Sequence, residues 1–342
     1  MEASKNITPP RATLANRYTI ISKLDSGSSC QVFKVHDEQT GETKVAKIFE
    51  DDQRTAFREE TKIYGIIDRL NLRSNIKFYE SSVDNISKKM YIILEYGSKG
   101  SLFDALLKAK DGFSEDVCKY ILLNILNAVD ALHNGGICHR DLKFENIVFV
   151  GDNYDIKLID FGLSAKFIGE NNQKIKLLGN CGTDYYQAPE IKEGKPYDGI
   201  EVDIFSIGAM LFVLKTKTFG FVEAKIKKEE KKEKKEKKEK KEKKEKKEKK
   251  GKNLEKDKNL LYKYIKEKNY NEYWKLMENY YDTKNLSTQF KNLYLKMVSY
   301  NPEERPTIEE IRKDDFLANI VNASEEYINS LRKKMISEIE SV

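Results

Sequence analysis

The chain has 342 residues, 39% of them apolar and 35% charged, with a formal net charge of +6 at neutral pH. That length suits two domains or one large two-lobed unit, and the apolar share is enough for a sizeable core. The excess of cations is local: residues 227–250 hold 16 lysines against 8 glutamates, leaving the rest of the chain acidic by two charges. A basic nucleic-acid-binding face on the folded part is therefore not expected.

Four scattered cysteines, Cys30, Cys118, Cys138 and Cys181, show no metal-ligand spacing, which predicts free thiols in a reducing compartment. The first 17 residues carry no apolar signal core and no apolar run approaches the length of a bilayer span. The expectation is a cytoplasmic protein with no membrane span.

Residues 1–17 read as a polar tail. From Tyr18 the segments YTIISKL, CQVFKVHD and TKVAKIF, with a turn at Gln39-Thr40-Gly41, predict antiparallel strands rich in β-branched residues. In FREETKIYGIIDRL the residues Phe57, Ile63, Tyr64, Ile67 and Leu70 recur at helical spacing. MYIILEY reads as a buried strand ending in the turn-like GSKGS. Beyond it, Ser114 is placed to cap a long helix that Gly135-Gly136 ends. The chain thus turns from strand-rich to helix-rich near residue 97, and a functional cleft is expected at that junction.

The lysine-glutamate tract repeats every three residues and reads as a solvated insert, with nuclear import or binding to an anionic surface as the sharper reading. After it, LYKYIKEKNYNEYWKLMENYY, the stretch around FKNLYLKMVSY, and the segment through SLRKKMISEIESV are expected to be helical.

The densest chemistry lies in CHRDLKFENIVF, residues 138–149, and in IDFG, residues 159–162. Phosphoryl transfer needs metal ligands, a carboxylate to orient the attacking hydroxyl, and cations over the developing charge. Asp141, Lys143 and Asn146 offer these on one loop, and Asp160 adds a further carboxylate.

These segments, followed by GTDYYQAPE and RPT, resemble the eukaryotic serine/threonine protein kinase family from about Tyr18 to Phe316. FYESSVDN, GSLFDALL and YNPEERPTIEEI are most similar to the calcium/calmodulin-dependent and calcium-dependent branch, although no calcium-binding loop of the D-x-D-x-D-G type is present. The resemblance implies an α+β, bilobal fold: a small antiparallel sheet with one main helix (18–94) and a larger helical lobe (95–318) carrying the insert at 225–252. Residues 319–342 would form a helix or tail.

It also implies MgATP as phosphoryl donor and Ser/Thr hydroxyls of protein substrates as acceptors. Asp141 matches the catalytic base, Lys143 the transition-state cation, and Asn146 and Asp160 the Mg²⁺ ligands. Lys47 matches the lysine on the α- and β-phosphates, and Glu60 its ion-pair partner, with Glu59 one residue off in register. Leu94, Glu95 and Gly97 match the hinge beside the adenine; Leu24, Val32, Val45 and Val148 match the apolar slot around it. Glu190 and Arg305 match a buried brace, Asp203 the anchor of the HRD backbone, and Tyr64, His139 and Phe161 a stacked column.

The departures are specific. In LDSGSSCQV the three glycine positions of the phosphate-covering loop hold Asp25, Gly27 and Cys30, which predicts weaker ATP binding and motivates the alternative of a pseudokinase scaffold. Gly179 stands where relatives carry an activating phosphothreonine for Arg140 to grip. Either the segment 163–187 is ordered without it or another event activates the chain. Thr183 matches a structural contact to the catalytic loop. Glu145 points to basic peptides, while Ser101 and Val213 replace two further acids. A regulatory partner is not specified, and SLRKK in the last helix is read as capping the fold or, alternatively, as autoinhibitory.

Overall fold

A computed structural model describes residues 13–26, 29–169, 171–220, 260–279, 281 and 283–340. Gly27 and the lysine-glutamate tract lie outside the described residues.

The N-terminal lobe is a six-stranded antiparallel sheet in the order β1-β2-β3-β4-β6-β5. Its strands are β1 (Thr13–Leu14), β2 (Tyr18–Ser26), β3 (Gln31–Asp37), β4 (Thr43–Phe49), β5 (Phe78–Val83) and β6 (Met90–Glu95). Successive side chains of a strand face opposite sides of the sheet, and here the two faces meet two different cores. Ala46, Ile48, Tyr91 and Ile93 pack with Leu14, Tyr18 and Val35 on the outer face. Phe49, Met90, Ile92 and Leu94 face the main core instead, with Val32 and Val45 packed against it. Parity alone therefore puts Lys47 on the same face as Val45 and Phe49.

Helix α1 (Arg54–Arg69) covers that inner face with Glu60, Ile63, Tyr64 and Ile67, one stripe at helical spacing. It stops at Leu70, and Asn71 turns the chain away with φ of 49°.

Two findings differ from the sequence reading. Leu14 is buried against the sheet and Arg17 forms an ion pair with Asp37 at 2.8 Å, so ordered structure begins before residue 18. β5 was not foreseen, because FYESSV is a half-exposed edge strand whose serines and glutamate give no strong strand signal.

The C-terminal lobe is built on α2 (Leu102–Lys108), α3 (Glu115–Asn134) and α5 (Gly199–Thr216), with the hairpin β8 (Ile147–Val150) and β9 (Asp155–Leu158). A second short ladder joins β7 (Ile137–Cys138) to β10 (Ala165–Lys166). Helix α4 (Pro189–Lys192) precedes α5, and α6 (residues 260–266), α7 (Tyr270–Met277), α8 (Thr288–Met297), α9 (Ile308–Arg312) and α10 (Glu325–Glu340) complete the lobe. The expected α+β, two-lobed architecture is thus observed. α5 is buried nearly all round, as befits a helix at the centre of a lobe.

Helix α10 lies along α3, burying Leu331, Met335 and Ile339. Ser114 does sit at the N-cap of α3, but its hydroxyl donates to Glu338 of α10 at 2.6 Å instead of capping its own helix. Tyr154 donates to Glu340 at 2.6 Å, and Lys334 pairs with Asp116 at 2.8 Å. These contacts hold α10 as a clasp on the C-terminal lobe. No helix among the described residues is long and apolar enough to cross a membrane.

Candidate active site

Lys47 on β4 reaches α1 and the turn after β9 at once. Its Nζ lies 2.5 Å from Glu60 Oε1 and 2.8 Å from Asp160 Oδ1. Burial works against the charged ammonium, yet the two carboxylates hold its pKa well above the ordinary value. The register assigns Glu60 as the partner; Glu59 is exposed and pairs with Lys62 on the surface. Desolvation pushes the Asp160 carboxyl up, and Lys47 more than offsets this, bringing it down to about 2. The Asp160 side chain remains 46% exposed, so the chain of charges has one open end.

The loop that carries His139, Arg140 and Asp141 is anchored from below. Asp203, fully buried on α5, accepts from the backbone N–H groups of His139 and Arg140, both at 2.8 Å, and lies 2.9 Å from His133 Nε2. His139 Nδ1 accepts from the Asp141 N–H at 3.3 Å, which leaves Nε2 protonated toward the Ile159 carbonyl at 3.1 Å. Arg140 and Asp160 adopt φ of 64° and 62°, a conformation that costs most residues energy and clusters at functional sites. Phe161 is buried between Tyr64 and His139, with both ring centroids at 5.3 Å, so the column of three rings is assembled.

Asp141 is oriented by three side chains. Lys143 Nζ is 2.8 Å from Oδ2, Thr183 donates to Oδ1 at 2.9 Å, and Asn146 Nδ2 donates to the Asp141 carbonyl at 2.8 Å and to Oδ2 at 3.2 Å. Lys143 also donates to the Thr183 hydroxyl at 3.1 Å, closing the triangle. Gly182 makes this approach possible: a Cβ there would sit 2.6 Å from the Arg140 carbonyl oxygen.

The donor set suits Mg²⁺. With both amide hydrogens of Asn146 directed at Asp141, its Oδ1 has no donor among the described residues, and neither has Asp160 Oδ2. The Ile159 N–H donates to the Asn146 carbonyl at 2.9 Å, which sets the two side chains on neighbouring turns. Mg²⁺ typically takes one or two carboxylates and completes its shell with water and phosphate oxygens, so this sparse protein contribution is what it requires.

The residues expected around the adenine lie on or beside β3, β4, β6 and β8. Val45 pairs with Leu94, and Val32 with Lys47, across adjacent strands. The segment after the hinge is stitched to β8 by the Lys99 N–H on the Phe149 carbonyl and the Phe149 N–H on the Gly100 carbonyl. A Cβ at Gly97 would lie 2.8 Å from Val148 Cβ, so hinge and floor touch because residue 97 lacks one. The Glu95 side chain turns away, to Lys157 at 2.8 Å and the Lys77 N–H at 3.1 Å, and its own N–H donates to the Lys77 carbonyl at 2.9 Å. Leu24 is half-exposed at the rim. Cys30 is buried, and desolvation pushes its thiol up to about 11, so it brings no negative charge to the phosphates.

Glu190 and Arg305 form a two-pronged pair at 2.6 and 2.8 Å. The sequence reading missed His133 beneath Asp203, Lys157 on Glu95, and Tyr197, whose hydroxyl meets Arg140 at 3.0 Å. Each contact joins residues far apart in the chain, and no local pattern marks them.

The sequence matches the family model described as protein kinase domain over residues 18–317, and the chain belongs to that family. It is 35% identical over 209 residues to CBL-interacting protein kinase 11 of Oryza sativa subsp. japonica, covering 60% of this chain and 40% of that protein. It is 33% identical over 216 residues to the SNF-related serine/threonine-protein kinase of Homo sapiens, covering 62% and 27%. With maternal embryonic leucine zipper kinase of Danio rerio it shares 34% over 202 residues, covering 59% and 29%. The matched part spans less than half the length of each relative. These similarities agree with the calcium/calmodulin-dependent-like branch read from the sequence.

Proposed function

We propose that the chain is an active kinase that transfers the γ-phosphoryl group of ATP to serine or threonine hydroxyls of proteins. One observation carries this reading: the Lys47–Glu60–Asp160 chain of charges and the Asp141–Lys143–Thr183 triangle are assembled together around one cleft. In this reading the acceptor oxygen attacks the γ-phosphorus, its proton passes to the Asp141 carboxylate, and ADP leaves. Thr183 and Asn146 hold that carboxylate in one orientation, and Lys143 sets a cation over the oxygens being transferred. Lys47 would bind the α- and β-phosphates while Glu60 fixes its position. Asp160 and Asn146 would hold Mg²⁺, which neutralises phosphate charge when bound. Glu145, exposed on the same loop, supports acceptors with basic residues upstream.

The altered phosphate-covering loop, with Asp25 and Cys30, supports a second reading as a scaffold with weakened nucleotide binding. The two part in one assay. Radiolabel from MgATP should enter a generic protein substrate and fall by at least about a thousandfold in Asp141→Asn. Equal incorporation in that variant, or none in the wild-type chain, would favour the scaffold.

A further inference from the structure

Many kinases order their activation segment by placing a phosphorylated residue on an arginine. Here the guanidinium next to the proposed catalytic base already has two partners. Arg140 Nε donates to the Leu163 carbonyl at 2.7 Å and Nη1 to the Tyr197 hydroxyl at 3.0 Å. Tyr197 belongs to the loop between α4 and α5 and is 2% exposed. It holds the segment at two further points: its backbone exchanges a pair of hydrogen bonds with Leu177, at 2.8 and 3.0 Å, and its hydroxyl lies 3.4 Å from Cys181 Sγ. Burial pushes that hydroxyl up to about 12, so it keeps its proton at neutral pH.

The sites where a phosphate could act instead are few. Of the hydroxyl side chains in residues 163–187, Ser164 donates to the His139 carbonyl, Thr183 donates to Asp141, and Tyr186 is buried. Tyr185 is exposed, its ring tilted against Phe219 with centroids 5.2 Å apart. Gly179 carries no hydroxyl.

We propose that Tyr197 is a positioning residue: its hydroxyl takes the place of a phosphate on Arg140 and reaches Cys181 while its backbone pins Leu177, so the platform bearing Thr183 is built in the unphosphorylated chain. The assignment rests on the kinase activity proposed above. Tyr197 acts through Arg140 and touches no reacting atom.

Three measurements on the full chain test it. Phosphatase-treated protein, checked by mass spectrometry, should transfer phosphate as fast as untreated protein. Tyr197→Phe keeps the ring and removes only the hydroxyl; it should lower kcat about tenfold, leave KM for ATP within about twofold, and leave the melting temperature nearly unchanged. Hydrogen exchange in Tyr197→Phe should speed up about tenfold over residues 163–187 and stay as in the wild type in α3 and α5. Loss of activity on phosphatase treatment overturns the assignment, and so does a segment that exchanges no faster in the variant. If the untreated wild-type chain transfers nothing, the proposed activity fails while the exchange comparison still decides the role of Tyr197.

Discussion

Of the buried ion pairs among the described residues, Glu190–Arg305 and Lys47–Glu60 differ at their ends. Arg305 is closed on every side: besides Glu190 it donates to the Ser299 carbonyl at 2.9 Å and the Glu201 carbonyl at 3.0 Å, and its side chain is 0% exposed. Lys47 is equally enclosed against Glu60, yet its second carboxylate, Asp160, stands nearly half open to the cleft. A pair enclosed on all sides by the protein holds structure. A pair with one carboxylate oxygen left over is a place for a ligand.

That contrast can be broken by substitution. Opening the cleft end should be the costliest for chemistry: Asp160→Ala is expected to reduce phosphoryl transfer by at least about a thousandfold while thermal unfolding stays close to wild type. Turnover retained in that variant would remove the metal assignment. Breaking the closed pair should do the reverse. Arg305→Ala leaves a buried carboxylate without its cation, an expected loss of about 3–5 kcal/mol in a denaturant titration, with activity following the folded fraction. A variant as stable as wild type would show that the pair is dispensable.

A smaller effect is expected at the loop over the phosphates. Cys30→Gly restores a glycine where backbone must approach phosphate, and KM for ATP should fall about two- to fivefold; an unchanged KM would locate the weakness at Asp25 instead. The smallest effect belongs to the lysine-glutamate tract. Deleting residues 227–250 should alter kcat and melting temperature little, since shortening a surface insertion changes loop-closure entropy by only about 0.6 kcal/mol per halving of length. A large fall in turnover would mean that the tract reaches the site.

What the residues alone disclosed, and what they did not, follows from distance along the chain. The strand at TKVAKIF and the helix stripe of Phe57, Ile63, Tyr64 and Ile67 were legible because both patterns are local, whereas Lys47 and Glu60 were singled out only by resemblance to the family. The catalytic loop was legible because Asp141, Lys143 and Asn146 lie within six residues. The edge strand at Phe78 was hidden by its polar content, and Leu14 by the polar residues around it. Tyr197 was hidden for a different reason. It lies 57 residues from Arg140, and only the folded chain brings that phenol to the guanidinium.

The clasp of α10 has a practical consequence. The family match ends at residue 317, but ordered contacts continue to Glu340. A shortened protein cut at the family boundary would expose the side of α3 that Leu331, Met335 and Ile339 now shield from water. Such a bare apolar strip invites self-association, so soluble material for crystallisation or screening calls for keeping the last helix.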